Sequence, residues 1–257
     1  MNNELAIEYY DFDSPYSNWT TSDAIEVRKT YVVRDIITCI KEKYFDTSSD
    51  CEKINYLTSK VITTHQKLVM MSFAEFNIQK AKNDFESTQN MDIPALCGMG
   101  NTKILFYLES MILFARNALD IAAYVYADLF FGKRMDSFNT FSKQILKSED
   151  PVLKKLGNYF LENEKENFGV FRLLCGSEKG RALRDIIVHQ ANIKLSYYEY
   201  KENSEKERLY LILKNTDPVE FDWFISNFID EFEEIFNRTT SCCKEYLRKT
   251  SEKNELL

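Results

Sequence analysis

Glycine and proline are scarce in this chain, at seven and four in 257 residues. Hairpin-rich β architectures need both at their turns, so the scarcity argues against them and favours long uninterrupted helices. Histidine is scarcer still: only His65 and His189 are present. The six cysteines, Cys39, Cys51, Cys97, Cys175, Cys242 and Cys243, form no C-x-x-C pair and have no histidine at ligand spacing. They read as reduced thiols of a cytoplasmic protein, and neither a metal nor a cofactor is expected. The first residues lack the basic region and apolar core of a secretory signal. The most apolar segment, Met111 to Phe131, carries Arg116, Asp120 and Asp128, charges that a bilayer penalises, so no membrane span is expected. An excess of positive charge is missing too. A net charge of -7 argues against a protein that coats nucleic acid with its whole surface.

What is present is apolar periodicity. With 44% hydrophobic residues the chain can bury a full core, and its class reads as mainly α. Residues 1 to 22 form an arm rich in turn-formers and aromatics. A first helix is expected from Ser22 or Asp23 to about Phe45 and a second from Cys51 to Phe85, with Ile54, Leu57, Val61, Leu68, Met71, Ala74 and Ile78 as its apolar stripe. His65 reads as a residue on that helix's face. From Glu86 to Asn101 the period is lost, so the boundary between an N-terminal extension (1–100) and a second helical domain (101–257) is placed here. Cys97-Gly-Met-Gly100-Asn101 lacks the ending of a phosphate loop and reads as a turn. Thr102 to Phe131 is the most apolar helix, with Arg116 and Asp120 paired at i, i+4. Shorter helices follow at Ser137–Leu146 and Val152–Leu161, with Pro151 at a helix start. Alternation in Ile193–Tyr198 and again in Leu209–Leu213 predicts an antiparallel hairpin at about 192–214. A last helix, from about Pro218 to Arg248, places Phe221, Phe224, Phe228, Phe232 and Ile235 at helical spacing, as core.

Chemistry concentrates in Arg181-Ala-Leu-Arg184-Asp185-Ile-Ile-Val-His189-Gln190. Between Arg172 and Lys194 five cations, Arg172, Lys179, Arg181, Arg184 and Lys194, face two acids, Glu178 and Asp185, leaving three net positive charges in an acidic protein. Arg184 offers a fixed fork of donors for a phosphate oxygen. His189 can give or take a proton near neutrality. On a regular helix residues five apart diverge by about 140°, so Arg184 and His189 do not share a face, whereas Asp185 and His189 do. An Asp185 carboxylate there would fix the imidazole tautomer, with Arg181 one turn earlier holding the carboxylate.

The segment Arg184-Asp185-Ile186-Ile187-Val188-His189 resembles the Arg-x4-6-His motif of the HEPN superfamily, the helical nucleotide-binding domains of higher eukaryotes and prokaryotes. The order of parts over residues 101 to 250 also resembles stand-alone bacterial members with an N-terminal helical extension and an inserted hairpin. The resemblance implies a mainly α, HEPN-like helical bundle with that extension and a small β-hairpin. It further implies a metal-independent endoribonuclease acting on single-stranded RNA, a toxin or phage-defence effector restrained by an antitoxin or regulatory protein. The catalytic residues would be Arg184, His189 and Asp185, with Arg181 and Lys179 binding RNA in a composite cleft of a homodimer. Arg184 would stabilise charge at the scissile phosphate and His189 would act as general acid or base as the 2′-hydroxyl attacks. DNA would be spared. The competing reading is a noncatalytic HEPN-like dimer module that binds nucleotide, RNA or protein. A helical metalloenzyme or nucleotide transferase is weaker, because no Glu-x-x-His pair is present.

Overall fold

The computed structural model describes residues 30–44, 51–88, 94–166, 169–176, 182, 185, 194–198, 208–212 and 217–255. The chain is mainly α: α1 (Thr30–Tyr44), α2 (Cys51–Thr88), α3 (Pro94–Phe131), α4 (Phe138–Leu146), α5 (Pro151–Lys165), α6 (Val170–Cys175), then β1 (Lys194–Tyr198), β2 (Arg208–Ile212), β3 (Val219–Glu220) and α7 (Phe221–Glu255). The N-terminal arm and the predicted first turns of α1 lie outside the described residues.

Two helices of 38 residues, each about 57 Å long at the usual rise, make the long axis of the molecule. Lys53 meets Asp128, Lys60 lies over Tyr124 and Lys67 over Phe114, so α2 and α3 run antiparallel. The stripe predicted for α2, from Ile54 to Ile78, is buried throughout. On α3, Ala115, Ala118, Ala122 and Ala123 are fully buried, and these small side chains let neighbouring backbones approach. Helix α7 runs alongside α3 in the same direction: Tyr126 hydrogen-bonds Thr240 at 2.6 Å and Phe130 meets Tyr246 edge-on at 5.4 Å. Its aromatic stripe is core as expected, with Phe224, Phe228 and Phe232 buried and the last two stacked 6.4 Å apart. Burial of each such ring stabilises the fold by roughly 1.5–3 kcal/mol before the entropy of ordering it is counted.

Helix α1 packs on α2 and α7, where Lys244 pairs with Asp35 at 2.8 Å. At its end Lys43 donates to the carbonyls of Asp128 and Leu129, at 2.6 and 2.8 Å, in the last turn of α3. A cation placed there satisfies orphan carbonyls and complements the helix dipole. On the other side, α4, α5 and α6 close over a cluster of Phe138, Phe141, Phe160 and Phe171, with Phe160 and Phe171 stacked at 5.1 Å. Ser137 caps α4 through the Thr140 N–H and Asp150 caps α5, and Pro151 stands in the first turn of α5, as the sequence indicates.

The predicted hairpin is present: β1 pairs antiparallel with β2, Lys194 opposite Ile212 and Tyr198 opposite Arg208. Two expectations need correction. The last helix does not begin at Pro218; Val219 and Glu220 add a third strand beside Tyr210 and Leu211, and α7 starts at Phe221 and continues to Glu255. Cys97 to Asn101 is not a turn but part of α3, which starts at Pro94. Glycine costs about 1 kcal/mol inside a helix, and the long α2–α3 contact outweighs it. His65 lies on the face of α2 that is fully buried.

Candidate functional site

The motif segment joins α6 to β1. Of the residues singled out from sequence, Arg184, His189, Arg181 and Lys179 lie outside the described residues, and so do the expected Asp185–His189 contact and the divergence of Arg184 from His189. Two positions of the segment are described. Ala182 is buried, and Asp185, half-buried and helical, donates its backbone N–H to the Ala182 carbonyl at 3.0 Å. What the structure does define is the frame on either side.

The six-residue helix α6 leads into the motif and is too short to hold itself. Side chains from three other helices hold it. At its N-terminus the Val170 N–H donates to Glu231 of α7 at 2.7 Å and the Phe171 N–H to Asn163 of α5 at 2.8 Å. Glu231 is itself oriented by the Asn227 and Asn163 amides, at 2.8 and 3.4 Å. These acceptors satisfy two of the N–H groups a helix start leaves open, and the Glu231 charge favours the positive end of the dipole. Gly169 is required by space: a Cβ there would stand 2.3 Å from the Asn163 carbonyl oxygen.

At the other end stands Arg116, buried at 5% exposure in the middle of α3. Its Nε donates to Asp120 at 2.9 Å, the pair anticipated from the i, i+4 spacing. Its Nη1 donates to Asn139 of α4 at 3.0 Å, to the Leu174 carbonyl at 3.1 Å and to Cys175 Sγ at 2.9 Å. Asp120 in turn accepts from the Phe138 N–H at 2.8 Å, and the Asn139 amide donates to the Cys175 carbonyl at 3.2 Å. One guanidinium therefore ties together α3, the start of α4 and the end of α6. A buried cation needs such partners, because leaving it unpaired costs several kcal/mol. Gly176 then leaves α6 with φ of +78°, the left-handed conformation that favours glycine, and its N–H closes on the Arg172 carbonyl at 2.8 Å.

Burial pushes the Cys175 thiol up to about 12, while the Arg116 guanidinium pulls the other way. The thiol stays protonated at neutral pH and is a packed group, not a nucleophile. Arg116 likewise anchors backbone and side chains inside the fold. After the motif, Leu209 and Leu211 of β2 are buried and Leu195 of β1 packs against the same core, so the segment is bounded on both sides by fixed structure. Arg116 is visible in the sequence as a charge inside an apolar run. Nothing local marked Glu231 and Asn163 as partners, since they reach α6 from 61 and 8 residues away.

Among the described residues, no group of three or more His, Cys, Asp or Glu is arranged to hold a metal ion, and no helix is long and apolar enough to cross a membrane. Comparison with protein-family models, curated proteins and solved structures finds no match to this chain.

Proposed function

We propose that the chain is a metal-independent endoribonuclease of the HEPN kind, acting on single-stranded RNA by attack of the 2′-hydroxyl on the adjacent phosphorus. The observation that carries this proposal is Arg184-Asp185-Ile-Ile-Val-His189, which supplies a phosphate-binding fork and a neutral-pH proton carrier in one short segment. It is supported by the setting: a mainly α chain in which this segment follows a short helix and precedes a small antiparallel sheet. Arg184 would neutralise the charge that builds on the phosphate oxygens in the transition state. His189 would move the proton of the attacking hydroxyl or of the leaving oxygen. Asp185 would orient the imidazole, and Arg181 and Lys179 would hold flanking phosphates. A cytoplasmic homodimer with a composite cleft, held in check by an antitoxin or regulatory protein, belongs to the same proposal, as does a toxin or phage-defence role.

The test is incubation of the purified protein with end-labelled single-stranded RNA in EDTA. The wild type is expected to leave a 2′,3′-cyclic phosphate and a 5′-hydroxyl, and His189→Ala and Arg184→Ala are expected to lose at least about a hundredfold in rate, the usual worth of such groups. Equal cleavage by all three proteins would refute the assignment. The net charge of -7 favours one other reading, a noncatalytic dimer module that recognises a protein partner. In that case no RNA is cut and His189→Ala leaves the dimer mass and partner affinity unchanged.

A further inference from the structure

A cleft of about 600 Å³ opens where the start of α2 faces the end of α3, remote in sequence from the motif. Its walls carry Lys53, Tyr56, Tyr124 and Arg134, with Glu52 at the exposed rim and Gly132 at the turn that ends α3. Gly132 has φ of +63° and open space where a Cβ would stand, so the backbone itself forms part of the opening. The cations here sit on aromatic rings. The Arg134 guanidinium lies over the Tyr56 ring at 4.7 Å, Lys60 reaches both Tyr56 and Tyr124, at 5.3 and 5.1 Å, and Lys53 lies over Tyr44 at 4.5 Å. The buried carboxylate, Asp128, is already compensated: it accepts from the Tyr44 hydroxyl and pairs with Lys53 at 3.2 Å. Asp136 holds the Tyr124 hydroxyl by a hydrogen bond. In a chain of net charge -7, this end of the α2–α3 pair gathers Lys43, Lys53, Lys60, Lys133 and Arg134 against Glu52, Asp128 and Asp136.

We infer that this cleft binds a nucleotide unit, a planar base carrying a phosphate. Arg134 is exposed and its guanidinium lies over Tyr56, and a base laid on the other side of that guanidinium would extend the Tyr56–Arg134 stack. Bases are commonly held on aromatic rings and on guanidinium planes in this way. Lys60, lying over the two tyrosines of the wall, offers a compact charge to the phosphate, while Lys53 is engaged with Asp128. Glu52 at the rim supplies an acceptor for a ribose hydroxyl. A purely anionic ligand would leave the tyrosines without a role, and a purely aromatic one would leave the cations without one; a nucleotide uses both. The inference stands independently of the nuclease proposal, because none of these residues belongs to the motif.

The full-length His189→Ala protein is titrated by calorimetry with ATP and, separately, with a 2′-O-methyl hexauridylate, which hydroxyl attack cannot cut. Binding of ATP assigns the cleft to free nucleotide, and binding of the hexauridylate alone assigns it to a strand. In either case Arg134→Ala, an exposed change, is expected to weaken the interaction about tenfold, the loss of one charge-assisted stacked contact. Lys103→Ala, exposed near the start of α3 and so at the opposite end of that helix, is expected to bind as the parent does. Failure of both probes to bind at millimolar concentration overturns the inference, as does unchanged affinity in Arg134→Ala. RNA cleavage in EDTA with unchanged binding would sink this inference alone, and loss of binding in Arg134→Ala without cleavage would sink the nuclease proposal alone.

Discussion

Buried ionisable side chains decide how this protein responds to base. Burial raises the thiols of Cys175 and Cys242 to about 12, and Cys243, whose thiol is hydrogen-bonded to Cys39, is also raised. In the unfolded chain a thiol ionises near 8.5–9. Below that pH both states keep the proton and the shift contributes nothing to the balance. Between about 9 and 12 the unfolded chain loses protons that the native state retains, so stability falls as pH rises. Urea midpoints are therefore expected to drop steeply between pH 8.5 and 10.5, and Cys175→Ala should make that drop shallower. A midpoint independent of pH over this range would contradict the burial of these thiols. The residue scale is also where the sequence was least informative. Arg116 and Asp120 could be paired from their spacing, yet the bonds from Arg116 to Leu174, Cys175 and Asn139 depend on how three helices meet. His65 could be placed on a helix face, but periodicity identifies a stripe and not whether a second helix covers the neighbouring face.

Among the elements, α6 is the most dependent on others. Its start is fixed by Asn163 and Glu231 and its end by Arg116, so a change at any of these should be felt in the segment that follows. Gly169→Ala tests this most directly, because the added methyl would press on the Asn163 carbonyl and force the α5–α6 turn apart. A loss of roughly 1–3 kcal/mol in urea unfolding is expected, as for overpacked sites generally. If the variant is as stable as the wild type, the close approach at Gly169 is wrong. Element types were largely legible in the sequence, because long apolar stripes, helix-start proline and alternation are local signals: Ile54 to Ile78, Pro151 and the β1–β2 pair follow from them. Element ends were not. The glycines of Cys97–Asn101 carried a turn signal that packing overrode, and Val219–Glu220 gained its strand only by meeting Tyr210 and Leu211.

For the whole molecule, the proposed composite cleft makes a prediction that a single chain cannot satisfy. If the arginine of one copy serves the histidine of the other, mixing inactive Arg184→Ala with inactive His189→Ala protein, with time for subunit exchange, should restore part of the RNA cleavage. Recovery no greater than the sum of the two separate activities would show that each copy works alone. Function was legible in the sequence only as a short motif, since six residues can carry a phosphate-binding fork and a proton carrier but not their arrangement in space. The path of α7 bears on a different matter, the order in which the chain can fold as it is made. Helices α2 and α3 are adjacent in sequence and can pair early, on contacts that close a short loop. Helix α7 comes after them yet supplies the Phe224–Phe228–Phe232 ladder and touches α1, α3, α5 and α6. Until the ribosome has delivered α7, the apolar faces of those helices have no cover, and the nascent chain offers them to chaperones or to its neighbours.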